Sequence, residues 1–321
     1  MRISLLDRAR TRVGEPDAET ITATVDRAVR AEQLGFSRFW TAEHHAVPGI
    51  AISAPSLLLA AVGARTQRIR LGTGGIMVPN HRPLVIAEQA LLLEALAPGR
   101  IDLGLGGSLG FTAPVRQALG RTVLRDGEYA AEVAEVRDYL HGRAGLTARP
   151  RTAAPPMFLL AIKDGLSLAA RLGLPAVVGG PLLGNTAALG RYFADFRPSD
   201  TAPEPYLIAS VEVSVADDAG RARELLLPEA WAHADSRDVG EFRPLQPLEE
   251  VRELLAKASP KKAAAVRSFT ASAVTGTPEQ VAGQLERLLE RTGAAEIMPS
   301  VSAYDRADVA AADDFLASLI D

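Results

Sequence analysis

Strand-like and helix-like segments alternate along this chain eight times, and no other feature restricts its fold as much. Residues 3–7 read as a short strand. Residues 18–34 read as the amphipathic helix that follows, with Ile21, Val25, Ala28 and Val29 recurring at helical spacing and Gly35 placed to close it. Strands at 37–41, 70–78, 101–105, 155–161, 175–178 and 206–215 are each followed by a helix, at 53–64, 83–96, 127–140, 166–172, 185–196 and 217–229. Thr277-Pro278-Glu279-Gln280 has the form of a capping box with Pro at the first helical position; the helix it opens runs to Gly293, ahead of a last strand at 296–300. Eight such units point to a single-domain α/β fold, a (β/α)8 TIM barrel over residues 1–321, rather than an open sheet. No glycine-rich dinucleotide fingerprint follows the first strand, which weakens a Rossmann reading. Residues 231–268 break the alternation with Pro244, Pro247 and mixed charge. They are expected to be an insertion before the last strand, partly mobile and partly helical (248–256), and a candidate active-site lid.

Composition narrows the function. A net charge of −4 argues against nucleic acid as the main partner. The absence of cysteine excludes disulfides, thiolate metal sites and cysteine nucleophiles. There is no haem, iron or copper motif, so no metal is expected. No apolar run approaches the roughly 20 residues of a membrane span. Strand-like sequence from Arg2 leaves no room for a signal peptide, so the expected location is cytoplasmic and no membrane partner is expected.

Chemistry gathers at the ends of the early strands. Phe39 and Trp40 suit a packed strand; Glu43, His44 and His45 directly after it do not suit a core. Ligands of α/β folds collect at the carboxyl ends of strands, and histidine moves protons near neutral pH. Adjacent residues on a strand face opposite ways, so one of the two histidines is expected to face the barrel wall. Gly74 and Gly75, inside the third strand, either let a flat ring lie against the main chain or relieve packing at a crowded corner. Pro79 and Pro83 stiffen the loop that holds His81 at the same mouth as His44. Residues 104–110 form a glycine-rich strand exit without the lysine and spacing of a P-loop. Lys163, Gly165 and Ser167 precede or open a short helix, whose amino end either holds a phosphate or is an ordinary connection.

In order, Ala42-Glu43-His44-His45, Leu71-Gly72-Thr73-Gly74-Gly75-Ile76-Met77-Val78-Pro79, Ala87-Glu88 and Gly99-Arg100-Ile101-Asp102-Leu103-Gly104 resemble the bacterial luciferase-like monooxygenase family of flavin- and deazaflavin-dependent barrels. The resemblance extends to residues 171–175 and 290–296 and is loose between 108 and 155. It implies reduced FMN, or alternatively F420, at the carboxyl-end mouth. His44 matches the family's functional histidine near the reactive edge of the ring, and His45 beside it is expected to be catalytic as well. Gly74 and Gly75 match the small pair under the ring, which in the family can carry a non-proline cis peptide. Two departures concern the phosphate. Gly107 stands where many members have an arginine, and Lys163, Gly165 and Ser167 stand where they have a serine-rich loop. Glu43, Glu88 and Asp102 are expected to be structural.

The expected activity is oxygenation of a small organic substrate by reduced FMN and dioxygen, with a separate flavin reductase and a place in natural-product (polyketide) biosynthesis. The alternatives are hydride transfer with FMN or F420 and no oxygen, and a non-catalytic flavin-binding barrel. Met77, His81, Leu109 and Phe111 are expected to face the substrate. Helices at 53–64 and 83–96 carry more apolar residues than one inner face requires, so a homodimer is expected.

Overall fold

The computed structural model describes residues 1–162, 164–199 and 201–320. In chain order its elements are β1 (Leu5–Asp7), α1 (Asp17–Gln33), β2 (Arg38–Thr41), α2 (Pro55–Arg65), β3 (Arg70–Thr73), β4 (Ile76–Met77), α3 (Pro83–Leu96) and β5 (Ile101–Gly106). They continue with α4 (Ala113–Ala118), α5 (Glu128–Leu140), β6 (Met157–Ala161), α6 (Gly165–Leu172), β7 (Ala176–Gly179), α7 (Thr186–Asp195) and β8 (Leu207–Val215). The last are α8 (Ala219–Leu225), α9 (Leu227–Val239), α10 (Leu248–Ala256), α11 (Pro260–Ser272), β9 (Val274–Gly276), α12 (Pro278–Thr292), β10 (Glu296–Ser300) and α13 (Arg306–Ala317).

Among the described residues, eight strands follow one another around the sheet in the order β1-β2-β3-β5-β6-β7-β8-β10, all parallel. The short β4 and β9 pair with β5 and β8. The sheet curls until its ends meet. Ile3 bridges Ile297, the Ser4 N–H donates to Ile297 O at 2.9 Å, and the Ile297 N–H donates to Arg2 O at 3.1 Å. Alternation along each strand divides the core in two. On β8, Leu207, Ala209, Val211 and Val213 join the large cluster shared with the helices, while Ile208 joins Trp40, Phe158, Val177 and Met298 inside the barrel. The Trp40 indole fills that interior so fully that a Cβ on Gly72 would stand 2.0 Å from its Nε1. That is why the neighbouring strand carries glycine.

The amino ends of the strands are closed by buried charge. Asp102 accepts from Arg38 Nη1 at 2.6 Å and from Arg70 Nη2 at 2.6 Å, while Glu296 accepts from Arg38 Nε at 3.1 Å and from the Tyr206 hydroxyl at 2.5 Å. Both carboxylates are fully buried. With this end sealed by ion pairs, the opposite end is the mouth.

Three sequence expectations change. The third strand is not continuous over 70–78: it stops at Thr73 and resumes at Ile76, and between them the Gly74–Gly75 peptide is cis, with the Gly74 N–H donating to Thr41 O at 2.7 Å. The helix expected at 217–229 breaks at Leu226, because Pro228 lacks an N–H and starts a new helix instead. Residue 231 therefore lies inside α9, and residues 231–268 are spanned largely by helices α9, α10 and α11. These helices share a small core of Trp231, Ala234, Val251 and Val266, with Lys262 paired to Asp235 at 2.7 Å over the Trp231 ring. The C-terminal α13 has no counterpart in the sequence reading.

Candidate active site

The loop after β2 and the loop after β4 meet on one carboxylate. Glu43 is buried. Its Oε1 lies 2.8 Å from His45 Nε2 and accepts from Asn80 Nδ2 at 3.2 Å; its Oε2 lies 2.9 Å from His81 Nε2 and accepts from the Met77 N–H at 3.1 Å. Burial alone would raise the Glu43 pKa; the hydrogen bonds from His45 and His81 overcome it and hold the pKa at about 2. An ionised carboxylate only accepts, so both imidazoles donate through Nε2. The ligand atoms of Glu43, His45 and His81 lie within 4.8 Å of one another, a spacing a cation could use, but each Glu43 oxygen already accepts two hydrogen bonds.

His44 turns away from that cluster. Its Nδ1 is buried and has no hydrogen-bond partner. Burial lowers its pKa to about 4, with Arg8 and Arg10 adding to the effect, so the ring is neutral near pH 7. A neutral imidazole presents one donor and one acceptor. Among the described residues that buried nitrogen has no partner, as Asn80 Oδ1 in the neighbouring cluster has none.

A cavity of about 200 Å³ at the mouth is lined by Leu6, Trp40, Gly74, Leu160, Val177, Ser210 and Met298. A Cβ on Gly74 would stand 2.8 Å from Leu6 Cδ1, the movable end of a side chain. Gly75 is confined by main chain, since a Cβ there would stand 2.8 Å from Gly104 O. The result is a largely apolar wall suited to a flat ring. The phosphate end is less developed. Gly107 has no cation to offer and packs on Tyr129, whose ring a Cβ would meet at 3.3 Å. The Gly165 N–H is already donated to Ile162 O at 2.8 Å, and Ser167 is exposed. Lys163 lies outside the described residues.

Of the residues expected at the substrate, Met77 and His81 meet at Glu43, whereas Leu109 and Phe111 lie on the loop after β5, half-buried and exposed respectively. The Phe111 ring stands 6.2 Å, edge to face, from Phe242. Phe242 belongs to the stretch between α9 and α10, which is tied down across the mouth. The Gly49 N–H donates to Phe242 O at 2.7 Å, the Leu245 N–H donates to Thr11 O at 2.9 Å, and the Arg10 guanidinium lies 4.4 Å over the Phe242 ring.

A second charge cluster was missed by sequence reasoning. Arg8 bonds to Glu212 and to Ser302 Oγ at 2.9 Å; Arg10 Nε bonds to Glu229 Oε2 at 2.7 Å. Burial and the neighbouring Glu229 raise the Glu212 pKa, while Arg10 and Arg8 keep Glu229 ionised against its own burial. One signal was available: Glu212 lies at an even position of β8, which alternation points into the barrel.

A parallel barrel with an imidazole–carboxylate cluster and a glycine wall at its carboxyl-end mouth defines a class of ligand-binding (β/α)8 proteins built for chemistry at strand ends. Comparison with known proteins narrows it. The model of the luciferase-like monooxygenase family matches residues 1–296. A luciferase-like monooxygenase of Escherichia coli K12 is 33% identical over 313 residues, covering 94% of this chain and 92% of that one. The crystal structure of apo-MsnO8 superposes with a TM-score of 0.89 at 31% identity, covering 99% and 97%. This chain belongs to the luciferase-like monooxygenase family. At 16% identity the fold alone is shared with two further solved proteins. One is the oxygenating constituent of 3,6-diketocamphane monooxygenase of Pseudomonas putida in complex with FMN, at a TM-score of 0.71 over 100% and 98% of the chains. The other is an F420-dependent secondary alcohol dehydrogenase in complex with an F420-acetone adduct, at 0.68 over 99% and 98%. Structural neighbours thus bind FMN or F420. No helix among the described residues is long and apolar enough to cross a membrane.

Proposed function

We propose that the protein is a monooxygenase that uses reduced FMN and dioxygen to hydroxylate, epoxidise or Baeyer–Villiger oxidise a small organic molecule, with the reduced flavin delivered by a separate reductase. The observation that carries this reading is His44, a neutral imidazole with a buried, unpartnered Nδ1 at the same end of the barrel as the glycine-walled cavity. Bound reduced flavin would supply the electrons that activate dioxygen. Leu6, Trp40, Gly74 and Leu160 would receive the flat ring. His44 would hydrogen-bond the reacting group through Nδ1, its low pKa keeping the ring uncharged near neutrality. Glu43 would fix His45 and His81 in one tautomer each. The stretch around Phe242, bonded to the loop after β2 and facing Phe111, would exclude water as a lid. The modest phosphate site, with Gly107 against Tyr129, fits an enzyme that borrows its flavin.

The same reading extends to partners. Leu57 is 76% exposed on α2, and Leu92 and Leu96 are exposed on α3; covering them in a homodimer removes apolar surface from water. A role in tailoring natural products such as polyketides rests on the family resemblance. Hydride transfer with F420 is the second reading, favoured by the shared fold of the F420-dependent dehydrogenase.

The decisive experiment titrates FMN and F420 separately. Photoreduced FMN is then mixed with labelled dioxygen and a panel of aldehydes and polycyclic aromatics. Label in an organic product supports the proposal. Substrate turnover without oxygen uptake replaces it with the hydride-transfer reading. Flavin binding without turnover by any donor replaces it with a non-catalytic binder.

A further inference from the structure

A groove of about 780 Å³ lies between β8, α12 and the helices α9 and α11, and shares no lining residue with the mouth cavity, although Gly180 and Val211 directly follow that cavity's Gly179 and Ser210. Its floor is apolar: Val211 on the outward face of β8, Leu183 after β7, Leu288 on α12 and Phe269 on α11. Its rim carries Arg237, Arg287 and Arg291, and its lining contains no carboxylate. Most arginines of this chain are matched to acids or to carbonyl oxygens, as Arg8, Arg27, Arg38 and Arg70 show. Among the described residues these three make no ion pair and no side-chain hydrogen bond. They line one groove in a protein of net charge −4, together with His233 and Gln284.

We infer that this groove is a binding site for a small amphiphilic anion, a carboxylate, sulfonate or phosphate ester on an apolar body. The volume is in the range of small-molecule sites, about 300–1,000 Å³, and the lining mixes apolar and polar groups in similar measure, as an amphiphile requires. The apolar floor takes the body, and the guanidinium groups hold the anion as planar multidentate donors. The walls come from two parts of the molecule. Val211, Leu183 and α12 belong to the barrel; His233 on α9 and Phe269 on α11 belong to the helices beyond β8. A ligand seated there bridges the two. It also sits at one end of a row of rings, with Phe269 5.2 Å from His233, His233 6.4 Å from Phe242, and Phe242 6.2 Å from Phe111 at the mouth.

The test uses the full chain without flavin and three probes of one length: decanoate, decanol and decyltrimethylammonium, followed by titration calorimetry. Decanoate is expected to bind at one site, at least about tenfold more tightly than decanol, with the cation weakest; one charge-assisted contact accounts for roughly that factor. The exposed pair Arg287→Gln and Arg291→Gln is expected to abolish the preference for decanoate while leaving FMN affinity unchanged. Equal affinity for decanoate and decanol overturns the inference, as does full decanoate binding by the double variant. A matching loss of FMN affinity in that variant also overturns it, because the groove would then be part of the flavin site. None of these outcomes depends on turnover, so the monooxygenase reading stands or falls separately.

Discussion

Replacing His44 with glutamine removes a single titration, and the structure gives both the sign and the size of the effect. In the folded chain, burial reinforced by Arg8 and Arg10 lowers the His44 pKa from 6.5 to about 4. Between those values the unfolded imidazole binds a proton that the folded one refuses, so acid draws the equilibrium toward the unfolded chain. The stability tied to neutral His44 is therefore fully present above pH 6.5 and lost as pH falls through about 4. At about 1.4 kcal/mol per pH unit, the loss amounts to roughly 3 kcal/mol. Urea unfolding followed by the fluorescence of Trp40 and Trp231 would measure it between about pH 7.5 and 4. Glu212, Glu229 and His233 titrate in both proteins and largely cancel in the difference. The expected result is that wild type loses roughly 3 kcal/mol more than His44→Gln across the window. Parallel stability curves would refute the reasoning: His44 would then titrate like a solvated imidazole, and its unpaired Nδ1 would be reaching water.

Three other expectations are independent of that one. Asp102→Ala strips Arg38 and Arg70 of a buried partner and should cost about 3–5 kcal/mol in urea unfolding, with FMN affinity of the folded protein unchanged. Lys163→Ala should weaken FMN by about ten- to a hundredfold and leave riboflavin untouched, as equilibrium titration would show; equal losses would place Lys163 at the ring or in packing. If the chain pairs through the exposed apolar faces of α2 and α3, light scattering should give a dimer for the parent and a monomer for Leu57→Glu with Leu92→Glu; a monomeric parent would refute the pairing.

The barrel was legible in the chain because its signals are local. Strand and helix periods, the capping box at Thr277, whose N–H donates to Gln280 Oε1 at 3.1 Å, and Pro83 at the start of α3 all appear where the sequence puts them. Glu43, His44 and His45 were legible for the same reason, since three titratable groups directly after a packed strand suit a strand-end site better than an apolar core. Which histidine does what was not legible. It depends on His81 arriving 38 residues later at the same carboxylate, and on Arg8 and Arg10 lying close to His44. The pairing of Arg8 with Glu212 spans 204 residues, and that of Arg10 with Glu229 spans 219; such distances leave no trace in a local pattern. Within residues 231–268 the helix at 248–256 appears as expected, as α10, but the helices on either side of it were not legible. Their prolines and charges mark helix starts and surface faces, and the small core around Trp231 forms only when α9, α10 and α11 come together.

The sharing of Glu43 has a consequence for how this site can change over generations of substitution. His45, Asn80, His81 and the Met77 amide all spend their donors on the same two oxygens. Removing one donor strands part of a buried carboxylate, and removing Glu43 strands every donor at once. The first loss therefore carries most of the penalty, and a second loss in the same cluster adds less than it would alone. Positions 43, 45, 80 and 81 are thus coupled through one carboxylate, and a change at any one of them alters what the others can donate to or accept from. A relative that reached a different arrangement here would be expected to have replaced the set together, while the glycine wall across the mouth drifted on its own schedule.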